Sequence, residues 1–357
     1  NGKKLSPFGA ECEWTEEESC FFRLSAWQDR LLAFYEENPD FLMPISRRNE
    51  VLSFVRGGLT DLSVSRTSFN WGIPVPGRPQ HVMYVWIDAL INYITALGYP
   101  DTTGDYARYW PASLHLVGKE IVRFHAVYWP AFLMAAGLKP PARIFGHGWW
   151  TAEGEKMSKS VGNVVDPHTL ISEFGLDQTR YFLMREVPFG NDGDFSRASM
   201  IARINSNLAN DYGNLVQRVL SQINKNCDAK VPTQGDLTAE DDALLSAARA
   251  LLPACRVEME RQGISRALEA VWQVIGRANQ YVDAQAPWAL KKTDPARMNT
   301  VLYVLAEVIR HCAILTQPVM PDASARILDQ LAVSARDFAA LAGAPLVPGT
   351  DLPAPPG

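Results

Sequence analysis

The sequence predicts an α/β protein in which a doubly wound parallel sheet is followed by an all-α helical bundle. Two patterns carry this prediction. Between residues 81 and 150, short apolar runs rich in β-branched and aromatic residues alternate with helix-like stretches, the order typical of parallel sheets covered by helices. From Ser196 onward, apolar residues recur at helical spacing over long stretches that short polar or Pro-containing loops separate, as in helical bundles.

The elements of the first half follow in order. Apolar residues at helical spacing predict a helix over 24–37 and a second short helix around Asn49–Phe54. The Pro- and Gly-rich stretch 65–80 interrupts regular structure. Three strands separated by two helices are expected after it, with Gly137 as the C-cap of the second helix. These elements are strand 81–90, helix 91–97, strand 113–120, helix 121–138 and strand 143–150.

Four amphipathic helices are predicted in the second half. The first runs from about 199 to 226, and Thr238 with Asp241 resembles a capping box that opens the second. The last two cover Ile264–Tyr281 and Val301–Leu315. The terminal stretch 344–357 is rich in Pro and Gly and short of large apolar residues, so we expect a surface-lying or disordered tail that does not pack.

Composition excludes several classes of protein. With 47% hydrophobic and 20% charged residues, the 357-residue chain is too apolar to be disordered and long enough for two or three domains. No apolar run reaches the roughly 18 uncharged residues that a membrane helix needs, and the N-terminus shows no apolar signal core. The five cysteines are scattered without a CxxC pair, which argues against zinc and for a reducing compartment. We therefore expect a cytoplasmic protein without membrane contact or a bound structural metal.

The strongest chemical signal is the pentapeptide Lys156-Met157-Ser158-Lys159-Ser160, with glycines nearby at positions 154 and 162. Two lysines three positions apart on one loop can both reach the same polyphosphate. A solvated surface loop is the usual alternative, but a full match of five residues is rare by chance. The pentapeptide also follows a predicted strand and comes after the turn at Gly118. It resembles the signature loop of class I aminoacyl-tRNA synthetases.

Three further segments narrow the resemblance to the methionyl-tRNA synthetase family. They match the family in order, spacing and content, and the match covers almost the whole chain except the Pro-rich tail. The segments are Tyr84–Ala89 followed by Tyr93, Gly118–His125 followed by Trp129, and His147–Trp150. The resemblance implies a ligase that activates methionine with ATP and Mg²⁺ to methionyl-adenylate and then transfers the methionyl group to tRNA(Met).

The resemblance also implies a division into domains. In chain order these are the end of a connective insertion, the C-terminal half of a Rossmann-type catalytic domain, a stem-contact region with the lysine loop, a helical anticodon-binding bundle and a Pro/Gly-rich tail. The corresponding ranges are 1–64, 65–144, 145–205, 206–343 and 344–357.

The methionine site that the resemblance implies is lined by aromatic and apolar residues, which suit a flexible and polarizable thioether. Taken singly, each aromatic would be interpreted as an ordinary core residue, and the histidine as a core histidine with satisfied hydrogen bonds. Leucine at position 90 replaces a proline that is frequent in bacterial members. The lining residues are Trp86, Ala89, Leu90, Tyr93, Ile121, His125 and Trp129.

The implied ATP site comprises Gly118, Glu120, Trp150 and the two lysines of the loop. Gly118 lets the backbone approach the nucleotide at a strand end, and Glu120, where the family often has Asp, can bind ribose hydroxyls. Trp150 corresponds to a residue beside the adenine ring. Lys156 and Lys159 are the predicted catalytic residues, because they would stabilise the charge that develops on the phosphates as pyrophosphate leaves.

Asn214, Arg218 and Trp288 match the anticodon-reading segments of the family. Asn214 and Arg218 are four residues apart and share a helix face, from which they can donate to exposed base edges, while Trp288 can stack on an unpaired base. Because the chain has a net charge of −5, RNA contact depends on such local patches. A surface arginine and a tryptophan packed at a helix end are the structural alternative.

One signature of class I synthetases is absent from the sequence. No two of the six histidines are three positions apart, so there is no HxGH motif. The first residues, Asn1–Trp14, are typical of the trailing edge of a loop or hairpin. We therefore expect a C-terminal part of a methionyl-tRNA synthetase, with the HxGH half before Asn1 and little activity of this part in isolation.

Two other interpretations stay open at this point. A non-catalytic tRNA-binding module derived from a class I synthetase would keep the bundle and the lysine loop without the HxGH half. Isoleucine, leucine and valine synthetases share the lysine loop, but the aromatic pocket and Trp288 argue against them, and the sequence gives no evidence of their large editing insertion.

Overall fold

The computed structural model describes residues 16–158 and 162–353. The chain forms two compact units that divide between Gly148 and Trp149. The predictions for Asn1–Trp14 and for the end of the tail, residues 354–357, lie outside the described residues. Within the described residues, Cys20, Cys227, Cys255 and Cys312 are free thiols.

The first unit combines short helices with short strands. Its α-helices are α1 (Gln28–Glu37), α2 (Ile45–Arg56), α3 (Val85–Thr95), α4 (Gly104–Tyr109) and α5 (Trp129–Ala135). Its strands are β1 (Phe21–Phe22), β2 (Leu42–Met43), β3 (Leu62–Ser63), β4 (Ser65–Arg66), β5 (Pro74–Val75), β6 (Arg78–Met83), β7 (His115–Gly118) and β8 (Ile144–His147). Single turns of 3₁₀ helix at Leu24–Trp27 and Lys119–Ile121 and a π-helical turn at Phe124–Tyr128 complete it.

A parallel sheet forms the centre of the first unit. β8 lies in the middle, with β2 on one side and β7 on the other. The helical segment between β7 and β8 makes a βαβ unit, which confirms the predicted parallel arrangement for this pair. Leu31, Val55, Val117 and Ile144 share its core, so residues on both sides of position 64 pack together. The functional boundaries at 64, 144, 205 and 343 stay predictions.

The predicted strand over 81–90 is wrong in its second half. β6 ends at Met83, and α3 begins at Val85, with Leu90 and Ile94 buried on one face of the helix. A short apolar run fits a buried strand or a buried helix equally well, so its pattern alone does not separate them. β6 also pairs antiparallel with β4 and β5. The third parallel strand is instead β2, which the sequence did not predict.

The predicted helix over 121–138 changes its hydrogen-bonding pattern along its length. It passes from the 3₁₀ turn through the π-helical turn into α5. Pro130 has no N–H to donate to the carbonyl of Ala126 in the usual helical pattern. The hydroxyl of the buried Tyr35 donates to that carbonyl at 2.6 Å instead. Gly137, with a φ of 74°, follows the last turn as predicted.

The second unit is mostly helical. Its helices are α6 (Pro167–Phe174), α7 (Leu176–Arg185), α8 (Arg197–Arg203), α9 (Asn214–Asn226), α10 (Ala239–Arg249), α11 (Leu251–Glu260), α12 (Ile264–Gln285), α13 (Pro287–Thr293), α14 (Pro295–Thr316), α15 (Pro321–Gln330) and α16 (Ala340–Gly343). A π-helical stretch, Ile204–Gly213, joins α8 to α9. Strand β9 (Trp150–Ala152) pairs antiparallel with β10 (Glu155–Lys156) and parallel with β11 (Gly193–Phe195).

The four predicted bundle helices are confirmed, and the bundle contains others. The path from α8 to α9 covers the predicted 199–226, α12 and α14 cover the last two helices, and Thr238 with Asp241 forms the predicted capping box of α10. α11, α13 and α15 were not predicted. α13 and α15 both have proline in the first turn, which is a helix-start signal as well as a loop signal.

α14 is the central helix of the bundle. By length and composition alone it could cross a membrane, but 89% of its apolar 18-residue window is buried inside the protein. A long helix that is buried on nearly all sides is typical of the middle of a bundle, and the charged Glu307 and Arg310 that α14 buries pair with each other.

The prediction that the tail does not pack is wrong for its described part. Leu346 is buried, and its N–H donates to Glu307 at 3.1 Å. The N–H of Val231 donates to the carbonyl of Thr350 at 2.8 Å, and that of Leu352 donates to Ala229 at 2.7 Å. Leu346 in the core, Ala344 and Leu352 packed against it, and these backbone hydrogen bonds hold the tail on the bundle.

A buried carboxylate joins three helices of the second unit. Asp241, in the first turn of α10, accepts hydrogen bonds from Arg297 of α14 at 2.7 Å and from the hydroxyl of Tyr281 of α12 at 2.5 Å. Burial alone would raise the pKa of Asp241, but the hydrogen bonds from Arg297 and Tyr281 outweigh burial and lower this pKa to about 2.

We expect Asp241→Asn to lower the free energy of unfolding at pH 7 by about 3–5 kcal/mol, the range for breaking a buried ion pair. Because the folded pKa lies below the unfolded value of about 3.9, the carboxylate stabilises the wild type fully above about pH 5 and progressively less as the pH falls toward 2.

Urea unfolding at pH 7 and pH 3 measures both effects, and the wild type should lose more stability over this range than Asp241→Asn. The neighbouring Asp242 is exposed and provides the control, since Asp242→Asn should show the same pH dependence of unfolding as the wild type. Equal pH dependence in the wild type and Asp241→Asn would contradict the prediction.

Candidate functional site

α3 and the π-helical turn place three predicted methionine-site side chains together. Trp86, in the first turn of α3, stacks on Phe124 with ring centroids 3.8 Å apart. The ring of His125 meets Trp86 edge-on at a centroid distance of 6.2 Å. Tyr93, two turns further along the same face of α3, contacts His125 at 5.6 Å. Trp86, Tyr93 and His125 therefore form one aromatic cluster.

The hydrogen bonds of His125 define which of its nitrogens carries the proton. Nδ1 lies 2.9 Å from the carbonyl oxygen of Ile121, and Nε2 lies 2.8 Å from the hydroxyl of Tyr93. Because a carbonyl only accepts, we assign the proton to Nδ1, and the Tyr93 hydroxyl then donates to Nε2. Burial lowers the pKa of His125, although the bond to Ile121 acts in the opposite direction. The ring is therefore neutral at pH 7.

A second histidine, which the sequence analysis did not assign to the site, lies beside Tyr93. The rings of His115 and Tyr93 are 4.3 Å apart, and Nε1 of Trp129 donates to Nε2 of His115 at 3.3 Å. Burial and the nearby His125 lower the pKa of His115 to about 4. A polar histidine opening the otherwise apolar strand β7 is the signal that could have identified it. Both imidazoles are neutral, so the cluster is aromatic, polarizable and uncharged.

The other residues predicted for the methionine site differ in exposure. Leu90 and Trp129 are 0% and 1% exposed and belong to the aromatic core of the first unit, so they support the cluster from within. Ile121 is half-buried and contributes its carbonyl to His125. Ala89 is exposed on α3. Phe124, the stacking partner of Trp86, was not predicted, although it directly precedes His125.

Gly118 and Glu120, predicted for ATP, lie together at the end of β7. A Cβ atom on Gly118 would lie 2.6 Å from Oε2 of Glu120. An alanine at position 118 would therefore displace the Glu120 carboxylate from the end of the strand. Trp150, the third residue of this set, belongs to the second unit. It is half-buried there, 6.0 Å from the ring of Phe182, and a Cβ on Gly193 would lie 3.2 Å from its indole.

The lysine loop is closed by an asparagine. Oδ1 of Asn163 accepts from the N–H of Ser158 at 2.8 Å, and its amide donates to the carbonyl of Lys156 at 3.1 Å. Lys156 is exposed, with its ammonium 5.0 Å from the centre of the Trp149 ring, a cation–π distance. Lys159 lies outside the described residues. Asn163 was not predicted, but an asparagine directly after glycine is a turn signal that could have identified it.

The predicted anticodon residues lie where α9, α12 and α13 meet. Arg218 of α9 pairs with Asp283 of α12 at 2.5 Å, and its guanidinium lies 5.6 Å from the centre of the Trp288 ring. Asn214, the first residue of α9, is exposed, and Trp288 of α13 is 47% exposed. Arg218 and Trp288 line an open cleft of about 240 Å³. Asp283 was not predicted, because its partner is 65 residues away in the sequence.

Comparison with known proteins decides the family. The profile of the family described as tRNA synthetases class I (M) matches residues 5–220, which is more than half of the chain. The chain belongs to the class I methionyl-tRNA synthetases. A second profile, described as the anticodon binding domain of methionyl tRNA ligase, matches residues 231–354.

Curated relatives and solved structures of methionyl-tRNA synthetases are similar along nearly the whole chain. The methionine–tRNA ligase of Brucella suis is 58% identical over 357 residues, which cover 99% of this chain and 69% of the relative. That of Mesorhizobium japonicum is 59% identical, and the match covers 100% of this chain and 70% of the relative. The solved structure of Mycobacterium tuberculosis methionyl-tRNA synthetase in complex with methionyl-adenylate has a TM-score of 0.94 at 54% identity, and covers 100% of this chain and 72% of that chain.

These similarities confirm the predicted methionyl-tRNA synthetase family, the ligase class and the fold class, an α/β catalytic part followed by a helical bundle. The roles of individual residues in binding methionine, ATP and the anticodon stay predictions.

Proposed function

We propose that the protein is a methionine–tRNA ligase, which converts methionine and ATP to methionyl-adenylate and pyrophosphate and transfers the methionyl group to the 3′ end of tRNA(Met). The observation that carries this proposal is the uncharged aromatic cluster of Trp86, Tyr93 and His125. It occurs in a chain 54% identical to a synthetase solved with methionyl-adenylate.

The cluster suits the methionine side chain. Contacts between a thioether sulfur and an aromatic ring contribute about 0.3–1.5 kcal/mol each, and Trp86 and Tyr93 offer two such rings. A charged side chain would leave an unpaired charge among neutral groups, which is costly. We infer that Leu90, Ile121 and Trp129 hold these rings in place and that Ala89 leaves space beside Trp86 for the substrate.

For ATP, we infer that Glu120 accepts hydrogen bonds from the ribose hydroxyls and that Gly118 allows the nucleotide to approach the backbone. Trp150 would contact the adenine ring. Lys156 and Lys159 would neutralise the charge that develops on the β and γ phosphates as the methionine carboxylate attacks the α phosphate and pyrophosphate leaves. Asn163 binds both ends of the Lys156–Ser158 segment, and we infer that it fixes the backbone that carries Lys156.

We propose that Mg²⁺ enters this site together with ATP. Among residues 16–158 and 162–353, no cluster of three or more His, Cys, Asp or Glu side chains could hold a metal ion. Mg²⁺ is commonly bound through substrate phosphates and waters. We propose that the phosphates of ATP supply its main ligands here.

In the second unit, we propose that Asn214, Arg218 and Trp288 contact the anticodon. Trp288 presents a half-exposed ring for stacking, and Arg218 and Asn214 present donors one helical turn apart. Asp283 holds the Arg218 guanidinium next to the Trp288 ring before RNA binds. We also propose that the protein works in the cytoplasm, where free thiols stay reduced.

Amino-acid-dependent exchange of pyrophosphate into ATP tests the proposed function. With the full-length protein, methionine should support exchange about 10- to 200-fold better than isoleucine, leucine or valine, because their branched chains cannot place a sulfur against Trp86 and Tyr93. Methionylation of tRNA(Met) should follow. Tight tRNA(Met) binding without exchange would favour a non-catalytic tRNA-binding module, and exchange with another amino acid would overturn the substrate assignment.

Gly118→Ala should raise the KM for ATP by about 10- to 100-fold, because the added Cβ displaces the Glu120 carboxylate and one charge-assisted hydrogen bond contributes about 1.5–3 kcal/mol. The KM for methionine should stay near wild type. Gly276→Ala is the matched control, since a Cβ at this position of α12 meets nothing within 4 Å. Pyrophosphate exchange at varied ATP measures the effect, and an unchanged KM for ATP in Gly118→Ala would contradict the proposed role of Glu120.

A further inference from the structure

An apolar cavity of about 450 Å³ lies among the helices of the second unit. Its walls come from α11, α12 and the end of α14, together with Met184 of α7. Within the part of the chain that the structure describes, Cys255 and Arg256 are the only residues of the lining that are not purely apolar. Small-molecule sites have this size and this composition, mostly apolar with a few polar groups that orient the ligand.

Hydrogen bonds from α7 hold one wall of the cavity in place. Pro318 and Val319, in the turn between α14 and α15, belong to the lining. Arg180 donates to the carbonyl of Val319 at 3.0 Å and to that of Pro318 at 2.7 Å. One turn earlier on α7, the buried Asp177 accepts from the N–H of Ala323 at 2.6 Å. The wall is therefore preformed, and a ligand that enters does not have to order it.

The rim of the cavity is apolar and adaptable. Met259 is 49% exposed and Phe338 is 40% exposed at this rim. Methionine side chains adjust to ligands of different shape, and cavities lined by apolar side chains stay dry and bind apolar molecules. The interior thus selects for an apolar body.

The positive charge of Arg256 at the cavity indicates which polar head group the ligand carries. Arg256 is exposed on α11, and among the described residues that line the cavity it is the only charged side chain, with no carboxylate beside it. We propose that this cavity binds a small hydrophobic carboxylate, with its apolar part among α11, α12 and α14 and its carboxylate at Arg256. This site is independent of the proposed catalytic function.

Three ligands that share an octyl chain and differ in the charge of the head group test whether Arg256 selects a carboxylate. Octanoate, octanol and octyltrimethylammonium are titrated below their micellar concentrations into the protein with ¹³C-methyl-labelled methionine, and the shifts of Met184 and Met259 report binding. Octanoate should bind tightest and octyltrimethylammonium weakest. Arg256→Gln should weaken octanoate by about two- to five-fold, the range for an exposed charge pair, and leave octanol unchanged. Equal affinities of the wild type for octanoate and octyltrimethylammonium would overturn the assignment of a carboxylate.

Substitutions that fill the cavity test whether the ligand binds inside it. Cys255 is half-buried with its Sγ 3.6 Å from the carbonyl of Ala267, so Cys255→Phe places a ring in the cavity and should weaken octanoate at least tenfold. Cys255→Ser is the control and should bind like the wild type. Leu252→Trp is a second filling variant, with melting curves to show that each variant is folded. Absence of octanoate binding by the wild type, or equal binding by the wild type and a folded filling variant, would overturn the proposal.

Discussion

Lys156→Ala is expected to lower the rate of methionyl-adenylate formation by about 10²–10³, the range for removing one preorganised charge donor. The KM for methionine should change little, because the lysine meets charge that appears only as pyrophosphate leaves, and interactions confined to the transition state act on kcat. Lys156 is exposed and its ammonium lies over the Trp149 ring, so the substitution removes no core contact. Pyrophosphate exchange and single-turnover formation of the adenylate measure the loss.

Lys225→Ala is the matched control for this experiment. Lys225 is also an exposed lysine of the second unit, in the last turn of α9, and its removal should leave adenylate formation unchanged. Lys159→Ala should also lower the rate of adenylate formation, since both lysines are proposed to contact the same phosphates. An equal loss of methionine binding in Lys156→Ala would show instead that the loop supports the structure of the site.

The parts of the fold that could be predicted from sequence are those in which local signals agree. The capping box of Thr238 and Asp241 and the long helix α12 follow from spacing within a few residues. The parallel strand β2 could not be predicted, because Leu42 and Met43 become a strand only through pairing with β8. The helix that begins at Val85 was mistaken for a strand, since an apolar run as short as 81–90 carries no clear period.

The candidate site shows the same limit. Trp86, Tyr93 and His125 could be assigned because each stands in a motif that resembles the family. The sequence marks His115 as a polar residue in an apolar strand and Phe124 as the neighbour of His125, but it does not show their partners: Trp129 donates to His115, and Phe124 stacks on Trp86 of α3. Contacts of this kind depend on tertiary structure, which sequence spacing does not contain.

Trp288→Ala is expected to separate the two half-reactions. If the indole stacks on an anticodon base, its removal costs about 1–3 kcal/mol of tRNA recognition, so aminoacylation at limiting tRNA should fall by about one to two orders of magnitude. Pyrophosphate exchange without tRNA should stay near wild type, because Trp288 lies beside Arg218 in the bundle and is not among the residues proposed to bind methionine or ATP. Trp288→Phe keeps a smaller ring, so its aminoacylation rate should lie between those of the wild type and Trp288→Ala.

Stability distinguishes this role from a structural one. A tryptophan buried in a core costs about 3–5 kcal/mol when it is replaced by alanine, whereas Trp288 is 47% exposed beside an open cleft, so its replacement should shift the melting temperature far less. A large fall in melting temperature together with a parallel loss of both half-reactions would favour packing over RNA contact. A wild-type melting curve with unchanged tRNA kinetics would contradict both roles, because the cation–π contact with Arg218 would then hold the ring at the surface without consequence for RNA.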